Sequence, residues 1–234
     1  MNELGTLLSA ALVGRGYRVT TLDNRSSQIA DVCGQYLRIS DAGQSFHQIL
    51  AAQIREIRNS GIREQTSAVE ESEFCSTNGV LSRINQEPRQ TLVLITTYPE
   101  PELLASLMEA GLDHFCAFTT PSGGIIGPFV RPGVTPCFHC LELTRSCSDG
   151  EWQKVAATLF IERFAKLEMA NVLLTTALLL NTMRQVIEGE IPHHGITGSF
   201  TISFDDSPRS PNLASISERG WSWGFHPECS CHWQ

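Results

Sequence analysis

The sequence predicts an α/β protein in which a parallel sheet is covered by helices. Three observations lead to this prediction. Helical and strand patterns alternate three times between Leu4 and Phe118, which is the rhythm of a parallel sheet with helical connections. The run Thr91–Ile95 is continuously apolar, as expected for a buried strand. The composition, with 41% hydrophobic and 18% charged residues, is that of a globular chain.

The first elements follow from periodicity. Residues Leu4 to Leu12 have apolar side chains at helical spacing, and the turn residues 14–16 end that helix. An alternating, β-branched strand is predicted from Tyr17 to Leu22, ending at Asp23. A second helix is predicted for Ser45 to Ile57, and the polar stretch of residues 59–90 has no defined element boundary.

The middle of the chain continues the alternation. The strand Thr91–Ile95 is followed by a helix over Glu102–Gly111 and by a strand over His114–Phe118. The glycine-rich stretch Gly123–Pro132 predicts a β-hairpin or an extended arm that leads to a pair of cysteines.

The last third is predicted to be helical and then irregular. Residues Glu151–Ile187 form one long helix or two shorter ones, and Gly195–Phe204 alternates as a late strand. The tail Ser207–Gln234 is rich in Ser, Pro, Gly and Trp, and we expect it to wrap irregularly over the domain. Residues 1–120 and 121–234 are predicted to form two parts that pack as one domain.

Charge and targeting signals exclude several functions. The formal net charge of −8 opposes binding to nucleic acid and to anionic membranes. Residues Met1–Ala11 lack the order of a secretory signal, and the apolar stretch Met169–Leu180 is too short for a bilayer of about 30 Å. Eight cysteines without a secretion signal suggest reduced thiols or metal ligands, and we predict a cytoplasmic protein.

Two cysteine pairs predict one structural zinc ion. Cys137 and Cys140 are separated by two residues after a Pro-Gly turn, and Cys229 and Cys231 are separated by one residue. Such turns let four thiolates reach one tetrahedral Zn²⁺ at about 2.3 Å, and four protein ligands leave no position for a catalytic water. The alternative is four thiols with no metal, and His139, His226 and His232 are possible substitute ligands.

Cys147 is a separate candidate. It is predicted to lie in a polar loop near Arg145, where a thiolate could accept an acyl group or sulfur. The alternative is an exposed cysteine without a role, since the sequence identifies no base beside it.

The cysteine region resembles a known family. The resemblance rests on the run Gly127-Pro-Phe-Val-Arg-Pro-Gly-Val-Thr-Pro-Cys-Phe-His-Cys-Leu-Glu-Leu-Thr-Arg145, on Trp152, and on His226-Pro-Glu-Cys-Ser-Cys231. These stretches are similar to those of ThiF-like proteins of azole-peptide biosynthesis. These are relatives of the ubiquitin-activating and ThiF/MoeB adenylating enzymes and act beside YcaO-type cyclodehydratases. The resemblance implies a Rossmann-type sheet with helices on both faces, zinc on the same four cysteines, a homodimer, and a role with a bacteriocin-type precursor peptide.

The chain departs from the adenylating relatives at the nucleotide site. Only Gly5 can match their glycine-rich phosphate turn, so we expect an N-terminally shortened form without the first strand. Asp23 stands where a ribose-binding carboxylate is expected, although an aspartate that ends a strand is also a common turn residue. The run Ile95–Pro101, which follows the corresponding strand, contains no aspartate to hold magnesium, so ATP activation by this chain alone is not expected.

Three functions therefore compete. The first, which the sequence favours, is a non-catalytic partner or scaffold that binds a cyclodehydratase, the precursor peptide or both. The second is an ATP-dependent adenylating or sulfur-transfer enzyme that uses Asp23 and Cys147. The third is a stand-alone zinc-stabilised domain.

Overall fold

The computed structural model of the chain describes residues 2–17, 19, 21, 23, 25–28, 37–59, 91–161, 168–188, 196–203 and 215–232. The chain divides into two units, Met1–Ile84 and Asn85–Gln234. The division into residues 1–120 and 121–234 that the sequence suggests remains a prediction.

The first unit begins with helix α1 (Glu3–Gly14), which confirms the predicted helix. The Oδ1 atom of Asn2 caps it by accepting a 2.9 Å hydrogen bond from the N–H of Gly5. The helix is followed by the C-cap Arg15 and then by Gly16, whose φ of 88° is the left-handed conformation that glycine adopts without strain. The face of α1 that is buried consists of Leu4, Leu8, Leu12 and Val13.

Helix α2 (Phe46–Asn59) confirms the second predicted helix and packs against α1. Ser45 and Gln48 cap it reciprocally, since the side-chain oxygen of each accepts a hydrogen bond from the backbone N–H of the other. Its buried residues Leu50 and Ile54 form an apolar cluster with Val13. A short 3₁₀ turn, Ile39–Asp41, precedes the helix.

Two predictions for this unit concern residues that lie partly or wholly outside the described ranges. Within the predicted strand Tyr17–Leu22, Arg18, Thr20 and Leu22 are outside them. The polar stretch of residues 60–90 is also outside them.

The second unit is built on a sheet whose described strands lie in sequence order. These strands are β1 (Val93–Ile95), β2 (His114–Thr120), β3 (Gly123–Val130), β4 (Ile196–Ser203) and β5 (Ser215–Ser222). Strands β1 and β2 pair in parallel, with Val93 opposite His114. The pairs β2–β3, β3–β4 and β4–β5 are antiparallel.

The described part of this unit contains four α-helices: α3 (Pro101–Glu109), α4 (Phe138–Ser148), α5 (Trp152–Ile161) and α6 (Met169–Glu188). Helix α6 packs against β2 and β3 and buries Val172 and Leu179. The predicted α3, β1, β2 and β4 are confirmed, and the predicted 151–187 helix is present as α5 and α6. No helix in the described ranges is long and apolar enough to span a membrane.

The parallel sheet predicted from the helix–strand rhythm is correct only for β1 and β2. Helix α3 connects these two strands, and a helical crossover allows parallel pairing. Strand β3 follows β2 after only Pro121 and Ser122, and so short a connection forces antiparallel pairing. The fold is therefore α/β with a mixed sheet. The stretch Gly123–Pro132, predicted as a β-hairpin or an extended arm, forms one extended strand, β3, whose hairpin partner is β2.

Two further expectations need correction. The tail was expected to be irregular, but residues 215–222 form β5, which pairs with β4 over its full length from Ser215 opposite Ser203 to Ser222 opposite Ile196. The polar loop expected around Cys147 is instead the last turn of α4. Strand β5 forms through its pairing with β4, so its own composition did not predict it.

Candidate metal centre

Cys137 and Cys140 are presented by a hydrogen-bonded turn that leads into α4. The carbonyl oxygen of Arg131 accepts hydrogen bonds from the N–H groups of Val134 and Thr135, at 2.9 and 3.0 Å. The hydroxyl of Thr135 accepts a 2.8 Å bond from the N–H of Arg131. Cys137 is the N-cap residue of α4, so Cys140 lies one turn further on the same side of the helix.

The second pair lies on the C-terminal segment. The N–H of Cys229 donates to the carbonyl oxygen of His226 at 2.9 Å, which closes a turn, and residues Ser230–His232 form a 3₁₀ turn that contains Cys231. The backbone N–H of His226 also donates to the sulfur of Cys140 at 3.4 Å. The two cysteine pairs are therefore joined directly.

The four sulfurs form a compact, buried cluster. They lie within 4.8 Å of one another. The Sγ–Sγ distances are 3.9 Å for Cys137–Cys140, 3.6 Å for Cys137–Cys229 and 3.4 Å for Cys140–Cys231. Sulfurs bound to one tetrahedral ion at about 2.3 Å are about 3.8 Å apart, so these residues fit a metal ion. The structure thus brings together the four cysteines that the sequence singles out, and their role as zinc ligands remains a prediction.

The electrostatics of the cluster fit the same conclusion. Burial raises the pKa of Cys137 well above its usual range and that of Cys231 to about 12. Burial acts to raise the pKa of Cys140 as well, but hydrogen bonds from the N–H of His226 and from neighbouring thiols lower it overall. Several buried anionic sulfurs would repel one another, and a bound divalent cation is the group that would stabilise them together.

Apolar residues enclose the cluster. Val130 at the end of β3 is fully buried against the four cysteines, and Met108 and Leu143 pack around them. The cysteines are between 0% and 6% exposed, so bulk water has little access. Such a closed arrangement is typical of a structural metal site.

The remaining cysteines and His139 are not part of this cluster. Cys116 is fully buried in β2, and burial raises its pKa, which agrees with a core residue. Cys147 is exposed, and its sulfur lies 3.7 Å from Nε2 of His226. His139 is exposed on α4. Cys33 and Cys75 lie outside the described residues.

Asp23 belongs to the first unit and is engaged by Arg25. Its carboxylate accepts hydrogen bonds from Nε and NH2 of the Arg25 side chain at 3.0 and 2.7 Å, and from the Arg25 backbone N–H at 3.0 Å. Its assignment to a nucleotide remains a prediction.

A polar cluster beside the metal centre was not predicted. Oε2 of Glu142 on α4 accepts hydrogen bonds from the hydroxyl of Tyr98 at 2.7 Å and from Nε1 of Trp152 at 2.9 Å. The guanidinium of Arg145 lies 4.4 Å from the centre of the Trp152 ring and 3.9 Å from Glu142. In the sequence, only the three-residue spacing of Glu142 and Arg145, which places them on one face of a helix, could have indicated this cluster.

Solved structures of other proteins share this fold. E. coli MccB in complex with ATP matches with a TM-score of 0.63 at 16% identity, over 99% of this chain and 63% of MccB. The microcin C7 biosynthetic enzyme MccB in complex with N-formylated MccA matches with a TM-score of 0.62 at 16% identity, over 99% of this chain and 65% of MccB. PaaA matches with a TM-score of 0.54 at 14% identity, over 93% of this chain and 70% of PaaA.

The extent of these matches limits what they establish. No family model and no curated protein matches the sequence. The chain spans just under two thirds of the length of MccB. At these identities the likeness concerns the fold, and the chain therefore has the fold of MccB over nearly its whole length.

Proposed function

We propose that this protein is a ThiF-like partner protein in the maturation of a ribosomally made peptide, where it binds a YcaO-type cyclodehydratase, the precursor peptide or both. The observation that carries the proposal is the likeness to MccB, a biosynthetic enzyme of microcin C7 that has been solved with MccA. The cysteine signature of the sequence supports a place among ThiF-like proteins of azole-peptide biosynthesis. We expect a homodimer, as in the adenylating relatives.

In this proposal the metal is structural zinc. Cys137, Cys140, Cys229 and Cys231 would hold it, and four thiolates leave no open position for a substrate or a water. Bound zinc would fix the start of α4 to the C-terminal segment and so keep the surface around both in one shape. The role of the ion would be to stabilise the fold that the partner recognises.

An adenylating or sulfur-transfer enzyme is the second candidate. MccB has been solved with ATP and with AMPCPP, and this favours a nucleotide-dependent reaction for a chain of the same fold. In that case Asp23 would bind the ribose, after release from Arg25.

Two measurements on the purified full chain distinguish the candidates. A pull-down with a YcaO-type cyclodehydratase, or calorimetric titration with its precursor peptide, tests the partner role, for which we expect saturable binding. An ATP–pyrophosphate exchange assay tests adenylation, for which we expect no exchange above background. Exchange that is lost on Asp23→Asn would reject the partner proposal in favour of the enzyme.

A further inference from the structure

Helix α6 is apolar on the side that faces away from the sheet. Its other side packs against β2 and β3. On the outward side, Leu173 is 50% exposed and Leu180 is half-buried. Ala170 and Ala177, on the same side of the helix, are exposed. A surface helix normally presents charged and polar side chains to water, so this side of α6 has the character of a contact surface.

The four outward residues follow the spacing by which helices pack against each other. The steps between them are three, four and three residues, so they form one stripe along the helix. This is the spacing of the a and d positions that interdigitate between paired helices. The stripe extends over about 15 Å of the helix axis. We call it the α6 seam, and it consists of Ala170, Leu173, Ala177 and Leu180.

The charge along α6 favours an apolar partner. No charged residue occurs from Met169 to Met183, although the chain carries a formal net charge of −8. Two copies of this acidic protein can therefore meet at the α6 seam without like charges being brought together there. A strongly charged partner would gain no ion pair at this position.

The seam is complementary in shape to itself when two copies run antiparallel. A two-fold axis at the level of Thr175 places Leu173 of one copy opposite Ala177 of the other. The same axis places Ala170 opposite Leu180. Each large side chain then meets a small one, which lets two helices interdigitate closely. The two-fold axis repeats every such contact, so the match occurs twice.

We propose that the α6 seam is the surface on which a second copy of this chain docks, with the two α6 helices antiparallel about a two-fold axis. The inference rests on the homodimer expected under the proposed function and assigns the contact to named residues. Because the seam is short, we expect a dissociation constant on the order of micromolar.

Sedimentation equilibrium of the purified full chain between about 1 and 100 μM tests the proposal. Leu173→Glu and Ala177→Lys should each weaken the dimer by about tenfold or more, since each places two like charges near the axis. Mixed in equal amounts, the two variants should associate again, because the new carboxylate of one faces the new ammonium of the other. Ile161→Glu, on α5 at a position that is 77% exposed, is the control and should dimerise like the wild type.

Circular dichroism and thermal unfolding establish that each variant folds, as expected for substitutions at exposed positions. A wild-type chain that stays monomeric over the whole concentration range would overturn the proposal. So would two variants that do not associate when mixed. A dimer that neither variant weakens would also overturn it, but would leave the homodimer of the proposed function intact. The binding assays with the cyclodehydratase and the precursor peptide test the proposed function separately.

Discussion

The hydroxyl of Tyr98 donates a 2.7 Å hydrogen bond to Oε2 of Glu142, although 44 residues separate the two in sequence. Nε1 of Trp152 donates to the same oxygen at 2.9 Å. Burial, and then the nearby Glu142 carboxylate, raise the pKa of Tyr98 well above its usual range, so its hydroxyl remains a donor. Glu142 thereby links the segment after β1 to α4 and to the start of α5.

The Glu142→Ala substitution should reduce the free energy of unfolding by about 2 to 4 kcal/mol, because it leaves the Tyr98 and Trp152 donors without their acceptor. Glu142→Gln keeps an acceptor oxygen and should cost about 1 kcal/mol. Urea unfolding of both variants measures the difference. Equal and small losses would mean that water replaces the carboxylate at this position.

The Cys137→Ser substitution should abolish stoichiometric zinc binding and lower the free energy of unfolding by about 4 kcal/mol or more, since loss of a structural metal is among the most destabilising changes. Elemental analysis should find about one zinc per wild-type chain. Cys147→Ser, an exposed cysteine outside the cluster, is the matched control and should keep its zinc. Zinc-free wild-type protein of unchanged stability would contradict the zinc assignment.

Thr135→Val should weaken zinc binding and cost about 1 to 3 kcal/mol of stability, because the partly buried N–H of Arg131 loses its acceptor in the turn before Cys137. Asp113→Asn alters the ion pair between Asp113 and Arg131 in the same region. That pair is partly exposed, so its loss should cost less than about 1 kcal/mol. Competition with a zinc chelator and urea unfolding measure both effects, and equal losses would contradict this ranking.

Stability should fall as the pH drops below about 6.5, in part because of His114. His114 is fully buried, and burial lowers its pKa below the ordinary value. The unfolded state therefore binds a proton that the folded state does not. The contribution of His114 is fully present above the unfolded pKa and is lost as the pH falls, with a slope of up to about 1.4 kcal/mol per pH unit.

The His114→Asn variant tests this pH dependence, since its amide can still donate toward the carbonyl oxygen of Leu112, the partner of Nδ1 in the wild type. Its stability should vary less with pH than that of the wild type between about pH 5.5 and pH 7.5. His139→Asn, at an exposed position, is the control and should retain the wild-type slope. Identical slopes for all three proteins would show that His114 binds the same number of protons in the folded and unfolded states, so that burial does not lower its pKa.

Patterns of neighbouring residues predicted the helices and the cysteine cluster, because these features depend on residues that are close in sequence. The apolar spacing in α1 and α2 identified both helices to within a few residues, because one face of each is buried. The short spacing within each cysteine pair likewise predicted the cluster, because a pair of neighbouring thiolates has few other uses in a turn.

Contacts between distant segments were not predictable in this way. Tyr98, Glu142 and Trp152 are each ordinary residues in their own segments, and only the folded chain brings them to one oxygen. The same holds for Cys147 and His226. Strand β5 forms because it pairs with β4 along its whole length. The residues of β5 alone do not indicate which strand it will pair with, so the pairing could not be predicted from that segment.

The two cysteine pairs also determine what a break in the backbone would do. Cys137 and Cys229 are 92 residues apart in sequence, and their sulfurs are 3.6 Å apart. With an ion bound, the polypeptide between them becomes a closed ring. A single proteolytic cut within that ring would leave two fragments that the metal still joins, in addition to the strand pairing of the sheet.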